Sequence, residues 1–213
     1  MAQAIASPGR FISVEGIEGA GKSKLIQALG EALRARGLSV CLTREPGGTP
    51  VAERLRGVVL ERGTEMIPPI AETLLMFAAR SIHLHNCIQP ALARGAWVLC
   101  DRFTDATRAY QGAGRGVAVD LIASLAEAVH GDLWPDLTLL LDLPVVQGMS
   151  RVASRRGPPD RIESETLAFF ERVRIQYLQI ARDEPQRVKV LDATQPHEAV
   201  LRSSLQLLRA LGL

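Results

Sequence analysis

The segment Phe11-Ile-Ser-Val-Glu15, followed by Gly16-Ile-Glu-Gly-Ala-Gly-Lys-Ser23, decides the fold reading of this chain. A short apolar run enters a turn of the form GxxxxGK[ST], and a helical pattern opens at Lys22. Glycines at 16, 19 and 21 let backbone N–H groups turn inward around phosphate oxygens at the positive end of a helix. The whole loop, Gly16, Ile17, Glu18, Gly19, Ala20, Gly21, Lys22 and Ser23, therefore reads as a cradle for the phosphates of ATP. Within it Lys22 is placed to reach the β- and γ-phosphates as a catalytic cation, and the Ser23 hydroxyl to ligate Mg²⁺.

Outward from this loop, apolar runs at Phe11–Glu15, Leu38–Thr43, Trp97–Cys100, Leu137–Leu143 and Val188–Leu191 predict short buried strands. Helical patterns over Lys22–Arg36, Val51–Leu60, Ala71–Arg94, Ala118–Val129, Val145–Arg155, Glu163–Arg182 and His197–Leu211 fill the intervals. This alternation predicts an α/β fold, a parallel sheet covered by helices on both faces. Leu167, Phe170, Val173, Tyr177 and Ile180 recur at helical spacing and read as core. At about 150 residues per domain, the 213 residues make one domain over 10–213, behind a flexible tail over 1–9. The helix entering Arg151 runs into Gly157-Pro158-Pro159 within a stretch holding Arg151, Arg155, Arg156 and Arg161. Paired prolines stop a helix and favour an extended loop, so a mobile lid is expected at about 151–163.

Asp101 ends an apolar strand, where ligands sit in open α/β folds. Beside a phosphate cradle it reads as a contact to metal or metal-bound water. A guanine-specific switch would need an Asn-Lys-x-Asp element, yet the only Asn is Asn86, followed by Cys87. The formal charge of +2, from 25 basic and 23 acidic residues, gives no pull toward nucleic acid or anionic membrane. A DNA-dependent ATPase would need more chain and a basic track. The 47% hydrophobic content excludes disorder. No apolar run reaches the ~18 residues of a membrane span, so the chain reads as soluble and cytoplasmic.

Cys41, Cys87 and Cys100 show no CxxC spacing, and Cys41 and Cys100 lie in apolar runs, so they read as small buried residues. His83 and His85 point to different faces of a helix and no carboxylate completes a metal set with them. These two, with His130 and His197, are expected at the surface or as caps.

Five motifs follow one another in order: Glu15-Gly-Ile-Glu-Gly-Ala-Gly-Lys-Ser23, Thr43-Arg-Glu-Pro-Gly-Gly-Thr49, Asp101-Arg-Phe103, Ala109-Tyr-Gln-Gly112 and Asp160-Arg-Ile-Glu163. Together, from Phe11 to about Ala199, the chain resembles the bacterial type of the thymidylate kinase family, a P-loop nucleoside monophosphate kinase family. The resemblance implies phosphoryl transfer from MgATP to dTMP on a three-layer P-loop fold with a five-stranded parallel sheet and a lid, as a homodimer.

Residue by residue, Arg44 and Arg102 follow two strand ends and can fork onto the acceptor phosphate from two sides. Glu18 puts an anion inside the phosphate loop, and in the resembled family an acid there faces the 3′-hydroxyl of the acceptor sugar. Phe77 and Arg80 share a helix face and are placed to stack on thymine and bond its carbonyl edge. The family's usual spacing of four selects Met76 instead of Phe77 for the stack. Tyr110 closes on the sugar where a 2′-hydroxyl would sit, and Gln111 contributes its amide. Lys24 and Ala106 depart from the small hydroxyl residues usual at their positions. The closing cation is expected from the lid, Arg156 first, then Arg161 and Arg151. Two other readings remain: a kinase for another deoxynucleotide or deoxynucleoside, and an ATP-binding regulatory protein without catalysis. Arg44 with Arg102 argues for a phosphate-bearing acceptor, and intact Lys22, Ser23 and Asp101 argue for catalysis.

Overall fold

The computed structural model describes residues 9–154 and 158–213. Residues 1–8 of the expected tail lie outside these, as do Arg155, Gly157 and the first-choice lid cation, Arg156.

Five strands, β1 (Arg10–Glu15), β2 (Val40–Arg44), β3 (Trp97–Asp101), β4 (Leu137–Asp142) and β5 (Val188–Asp192), form one sheet in the order β2-β3-β1-β4-β5. All pairings are parallel, and Val14 of β1 lies opposite Asp101 of β3. From β1 the chain crosses to the edge strand β2, whereas from β3 it passes back over β1 to β4. Crossovers leaving adjacent strands in opposite directions open a crevice at the strands' C-terminal ends. The phosphate loop after β1 and the Asp101-Arg102 corner after β3 flank it.

Strand alternation sorts the core. Ile12, Val14, Trp97, Leu99, Leu139 and Leu141 pack beneath α1 (Lys22–Arg34) and α9 (His197–Arg209). Phe11, Val98 and Cys100 face the opposite side, under Leu84, Ile88 and Phe103. Next to them Leu140 and Val188 meet α8 (Leu167–Asp183) through Phe170, Val173, Tyr177 and Ile180. Two further helices, α2 (Pro50–Leu60) and α3 (Pro69–His83), pack against each other, and α3 also packs against α6 (Val119–His130).

Three elements differ from the sequence reading. The single helix expected over Ala71–Arg94 is α3, a π-helical turn over Leu84–Ile88, and α4 (Gln89–Ala93). Pro90 has no N–H to close an ordinary turn there, and a widened turn relieves the ladder. The helix expected from Glu163 begins at Leu167, where the Thr166 side chain accepts from the Phe169 N–H. Before it, the Asp160 carboxylate accepts from the N–H groups of Ile162 and Glu163, which spends those residues in a turn. The motif after Asp101 forms a short α5 (Thr104–Thr107) running into a π-helical segment, Arg108–Gly114. Ala106, Ala109 and Tyr110 of that stretch pack on α8, a tertiary contact that its mixed composition did not announce.

The phosphate loop is seated on α7 (Val145–Ala153). A Cβ at Gly148 would lie 2.6 Å from the Glu18 carbonyl oxygen, so loop and helix approach as only glycine permits. Gly148→Ala gains about 1 kcal/mol of helix propensity. It nevertheless forces two backbones apart, for a net loss of about 1–2 kcal/mol, read as a lower urea midpoint at unchanged m-value.

Candidate active site

A cleft of about 520 Å³ opens at the sheet's C-terminal edge, lined by Glu18, Gly19, Gly21, Lys22 and Ser23 of the phosphate loop and by Arg44, Arg56, Met76, Asp101, Arg102 and Tyr110, among others. Ile17 lies under it in the core. Gly16, Gly19 and Gly21 have φ of +134°, +75° and +94°, conformations open to glycine and strained for other residues. These three positions give the loop its curl at the N-terminus of α1. Lys22 folds over the loop and donates from Nζ to the carbonyls of Gly16 and Ile17, at 3.1 and 3.0 Å. Burial, and then the neighbouring Arg102 guanidinium, lower its ammonium to about pKa 8. Ser23 Oγ donates to Asp101 Oδ2 at 3.1 Å, which brings a hydroxyl and a carboxylate together at one edge of the cleft. Two hard oxygen donors with room for phosphate oxygens and water fit Mg²⁺.

Arg102 is the most heavily engaged side chain of the site. Its Nη1 donates to the Gly16 carbonyl at 2.9 Å and to the Tyr177 hydroxyl at 3.1 Å. Its Nη2 donates to Glu18 Oε1 at 2.8 Å and to the Tyr110 hydroxyl at 2.9 Å, while that hydroxyl donates to Glu18 Oε2 at 2.7 Å. The acid in the phosphate loop is thus balanced by a guanidinium from β3, and this pair accounts for its presence there. Arg102 has φ +75°, the one non-glycine residue among those described with a left-handed backbone. Glu15, fully buried, accepts from the Phe103 N–H at 2.6 Å and from the Tyr177 hydroxyl at 2.7 Å. Burial, with Asp105 nearby, pushes its carboxyl up to about pKa 8.

Arg44 lies at the cleft mouth and donates through Nε and Nη2 to both oxygens of Glu53, at 3.2 and 2.9 Å. Arg56, which the sequence reading missed, donates to the Pro46 carbonyl and also lines the cleft. Burial, and then Arg44, hold its guanidinium below the usual arginine range. Its position two residues after Arg54 in a helix gave no sign of which arginine faces inward. Lys24 and Ala106 also line the cleft.

The residues expected to hold the base divide. Phe77 lies in an apolar cluster with Val117, Ile122 and Ala126, and Met76 faces the cleft. One position along α3 turns a side chain by about 100°, so the stacking candidate moves from Phe77 to Met76. Arg80 is buried, four residues on from Met76 and so on the same face of α3. Its Nε pairs with Glu45 Oε2 at 2.7 Å and its Nη2 donates to Thr107 Oγ1, leaving Nη1 without a partner among the described residues. Glu45 also meets His83 Nδ1 at 3.1 Å. Burial alone would raise the Glu45 carboxyl, but Arg80 and His83 together bring it below its usual value. Gln111 lines the cleft, donates from Nε2 to Glu72 Oε1 at 2.7 Å, and keeps Oε1 buried and unpartnered among the described residues.

Of the lid arginines, Arg151 lines the cleft and reaches the Gly19 carbonyl at 3.2 Å. Arg161 donates to the Val59 carbonyl at 2.7 Å and to Glu72 Oε2 at 2.6 Å, tying the turn that follows Pro159 to α2 and α3. The histidine expectation also changes. His83 is buried against Glu45 and Thr43, and His130 is buried against Thr104, where burial lowers it to about pKa 4. Cys100 is buried as expected, while Cys41 is half-buried with its Sγ 3.8 Å from that of Cys87.

A family model described as thymidylate kinase matches residues 14–203. A thymidylate kinase of Pseudomonas putida is 58% identical over 193 residues, 91% of this chain and 93% of the relative. One from Alkalilimnicola ehrlichii is 52% identical over 193 residues, 91% of this chain and 89% of its own. Among solved structures, a thymidylate kinase from Ehrlichia chaffeensis superposes with a TM-score of 0.76 at 31% identity, covering 95% of this chain and 99% of that one. The loop, the Asp101-Arg102 corner and the guanidinium-lined cleft thus lie within a match running almost end to end, and the chain belongs to the thymidylate kinase family.

Proposed function

We propose that this chain transfers the γ-phosphoryl group of ATP directly to the 5′-phosphate of dTMP, giving dTDP and ADP for dTTP synthesis. The observation that carries the reading is one cleft shared by a phosphate loop and three guanidiniums, Arg44, Arg56 and Arg102, from different elements. A donor triphosphate needs the loop; a dianionic acceptor needs a second set of cations facing it. Lys22 supplies a fixed charge at the donor phosphates. Ser23 and Asp101 would hold Mg²⁺, which when bound neutralises charge on the transferring phosphates. Arg151, at the loop carbonyl, contributes a cation from the lid side, and Arg156 remains the proposed partner that arrives on closure.

For the base, Met76 offers a face to stack on. Arg80 Nη1 offers a donor and Gln111 Oε1 an acceptor, the pair that thymine's 4-carbonyl and 3-N–H require. Tyr110 and Glu18 bound the sugar. A homodimer fits the exposed apolar side chains Val58 on α2, Ile70 and Leu74 on α3, and Val119 on α6, which lie on helices packed side by side. Such an enzyme works on soluble nucleotides, and cytoplasmic placement is part of the same reading. No helix among the described residues is long and apolar enough to cross a membrane. A coupled ADP-release screen over dTMP, dUMP, dCMP, dGMP and thymidine with MgATP tests the reading, which requires dTMP to be the best acceptor.

Lys22→Ala is expected to keep the fold and lose about 10²–10³ in kcat. The ammonium is lost as pH rises through about 8, and bound phosphates favour its charged form. The ATP KM of the wild type should therefore climb above pH 8, and ATP binding near that pH should take up a fraction of a proton, seen by calorimetry in two buffers. In Lys22→Ala both effects should vanish.

Arg44→Ala and Arg56→Ala should each raise the dTMP KM by about 10- to 150-fold, the loss of a charge-assisted contact of about 1.5–3 kcal/mol. The ATP KM should change little, and equal effects on both substrates would place these cations on the wrong side.

Met76→Ala should weaken dTMP without lowering Tm much. Phe77→Ala should instead cost about 3–5 kcal/mol of stability as a core truncation. Urea melts and initial rates on the two variants separate the assignments.

A further inference from the structure

Glu72 is a buried carboxylate on α3, 1% exposed, that no step described so far uses. Arg161 of the lid turn donates to its Oε2 at 2.6 Å, and Arg115 lies 3.4 Å from the same oxygen. Oε1 accepts from Gln111 Nε2 at 2.7 Å. A carboxylate held by two guanidiniums has only acceptors to offer, so Gln111 must turn its amide nitrogen toward Glu72. The amide is planar, and committing the nitrogen fixes where the oxygen points. That oxygen is buried and without a partner among the described residues, on a residue that lines the cleft.

We infer that Glu72 is a positioning residue for base selection: it locks Gln111 with its carbonyl oxygen presented to the base, so that the site accepts a pyrimidine carrying an N–H at ring position 3 and rejects one carrying a bare ring nitrogen there. The inference rests on the thymidylate reading above and deepens it. Thymine and uracil share the 3-N–H and 4-carbonyl edge. Cytosine presents a lone pair at N3, which would face the Gln111 oxygen, acceptor against acceptor, with nothing able to rotate. A site built around a polar contact rejects a mismatched partner strongly because both groups are left unpaired. Arg80 Nη1 opposes the cytosine 4-amino group independently, so Glu72 carries part of the discrimination and not all of it.

The test is Glu72→Gln, which is isosteric but can both donate and accept, freeing Gln111 to take either orientation. The ratio of kcat/KM for dTMP over dCMP should fall by about tenfold, while the ratio for dTMP over dUMP stays at its wild-type value. In a Gln111→Ala background, Glu72→Gln should no longer move the dTMP/dCMP ratio, because the residue through which it acts is gone. Should Glu72→Gln fail to fold by circular dichroism, Glu72→Asp keeps the charge for Arg115 and Arg161 but withdraws the carboxylate from Gln111, and should lower the same ratio. The inference is overturned if dTMP, dUMP and dCMP all decline in the same proportion, the mark of a merely structural role. It is equally overturned if discrimination is unchanged in the folded variant, or if the effect persists without Gln111. A wild-type enzyme that prefers dTMP while any of these holds loses only the role of Glu72. A wild type that phosphorylates dCMP as well as dTMP loses the thymidylate reading, and this inference with it.

Discussion

The cleft is organised around the guanidinium of Arg102, whose terminal nitrogens bind the Gly16 carbonyl, Glu18 and the hydroxyls of Tyr110 and Tyr177. It reaches this position because β1 and β3 are neighbours, and because the Arg102 N–H bonds the Val14 carbonyl as the chain leaves β3. Turning the corner puts Arg102 at φ +75°, a conformation costing roughly 1–2 kcal/mol for an L-residue. Glu15 helps to hold the corner by accepting from the next N–H, that of Phe103. Without this guanidinium, Glu18 would stand uncompensated in a loop made to receive anions. One interaction therefore ties the phosphate loop, the strand-end corner, Tyr110 and α8 into a single piece.

Buried ion pairs recur around α3, where Glu45 holds Arg80 and Glu72 holds Arg115 and Arg161. Such pairs contribute little net stability, since desolvation offsets most of their attraction, but leaving one partner alone is costly. Their consequence here is geometric. Glu45 and Thr107 engage two nitrogens of the Arg80 guanidinium and Glu72 engages the nitrogen of Gln111, which leaves Arg80 Nη1 and Gln111 Oε1 unpaired among the described residues. The polar atoms left over are a donor and an acceptor in fixed positions. Glu72 also receives Arg161, so the turn that follows Pro159 and the Gln111 side chain share one anchor.

The phosphate loop, the five strands and the Asp101 strand end were legible in the sequence because they depend on local rules. Glycine spacing sets a turn, apolar runs set strands, of which the edge strands β2 and β5 are only partly buried, and a carboxylate at a strand end meets whatever occupies the sheet edge. The order in which α3, the π-helical turn and α4 succeed one another was less legible, since a continuous apolar period over Ala71–Arg94 hides where Pro90 interrupts the ladder.

What the sequence determined by itself was the chemistry on offer: a glycine loop at a helix N-terminus, a hydroxyl and a carboxylate in Ser23 and Asp101, and an excess of arginine over lysine. Which arginine faces which partner was decided only by tertiary structure, because a guanidinium pairs with whichever carboxylate the packing brings within reach, regardless of sequence distance. Arg161 is drawn to Glu72 and becomes a latch, Arg102 is drawn to Glu18 and becomes the keystone of the cleft, and Arg56 is left facing the cavity. Met76 and Phe77 make the same point for apolar residues. Neighbours in sequence, they are sent to cleft and core by about 100° of helix rotation, and only the placement of α3 against α6 fixes the direction of that rotation.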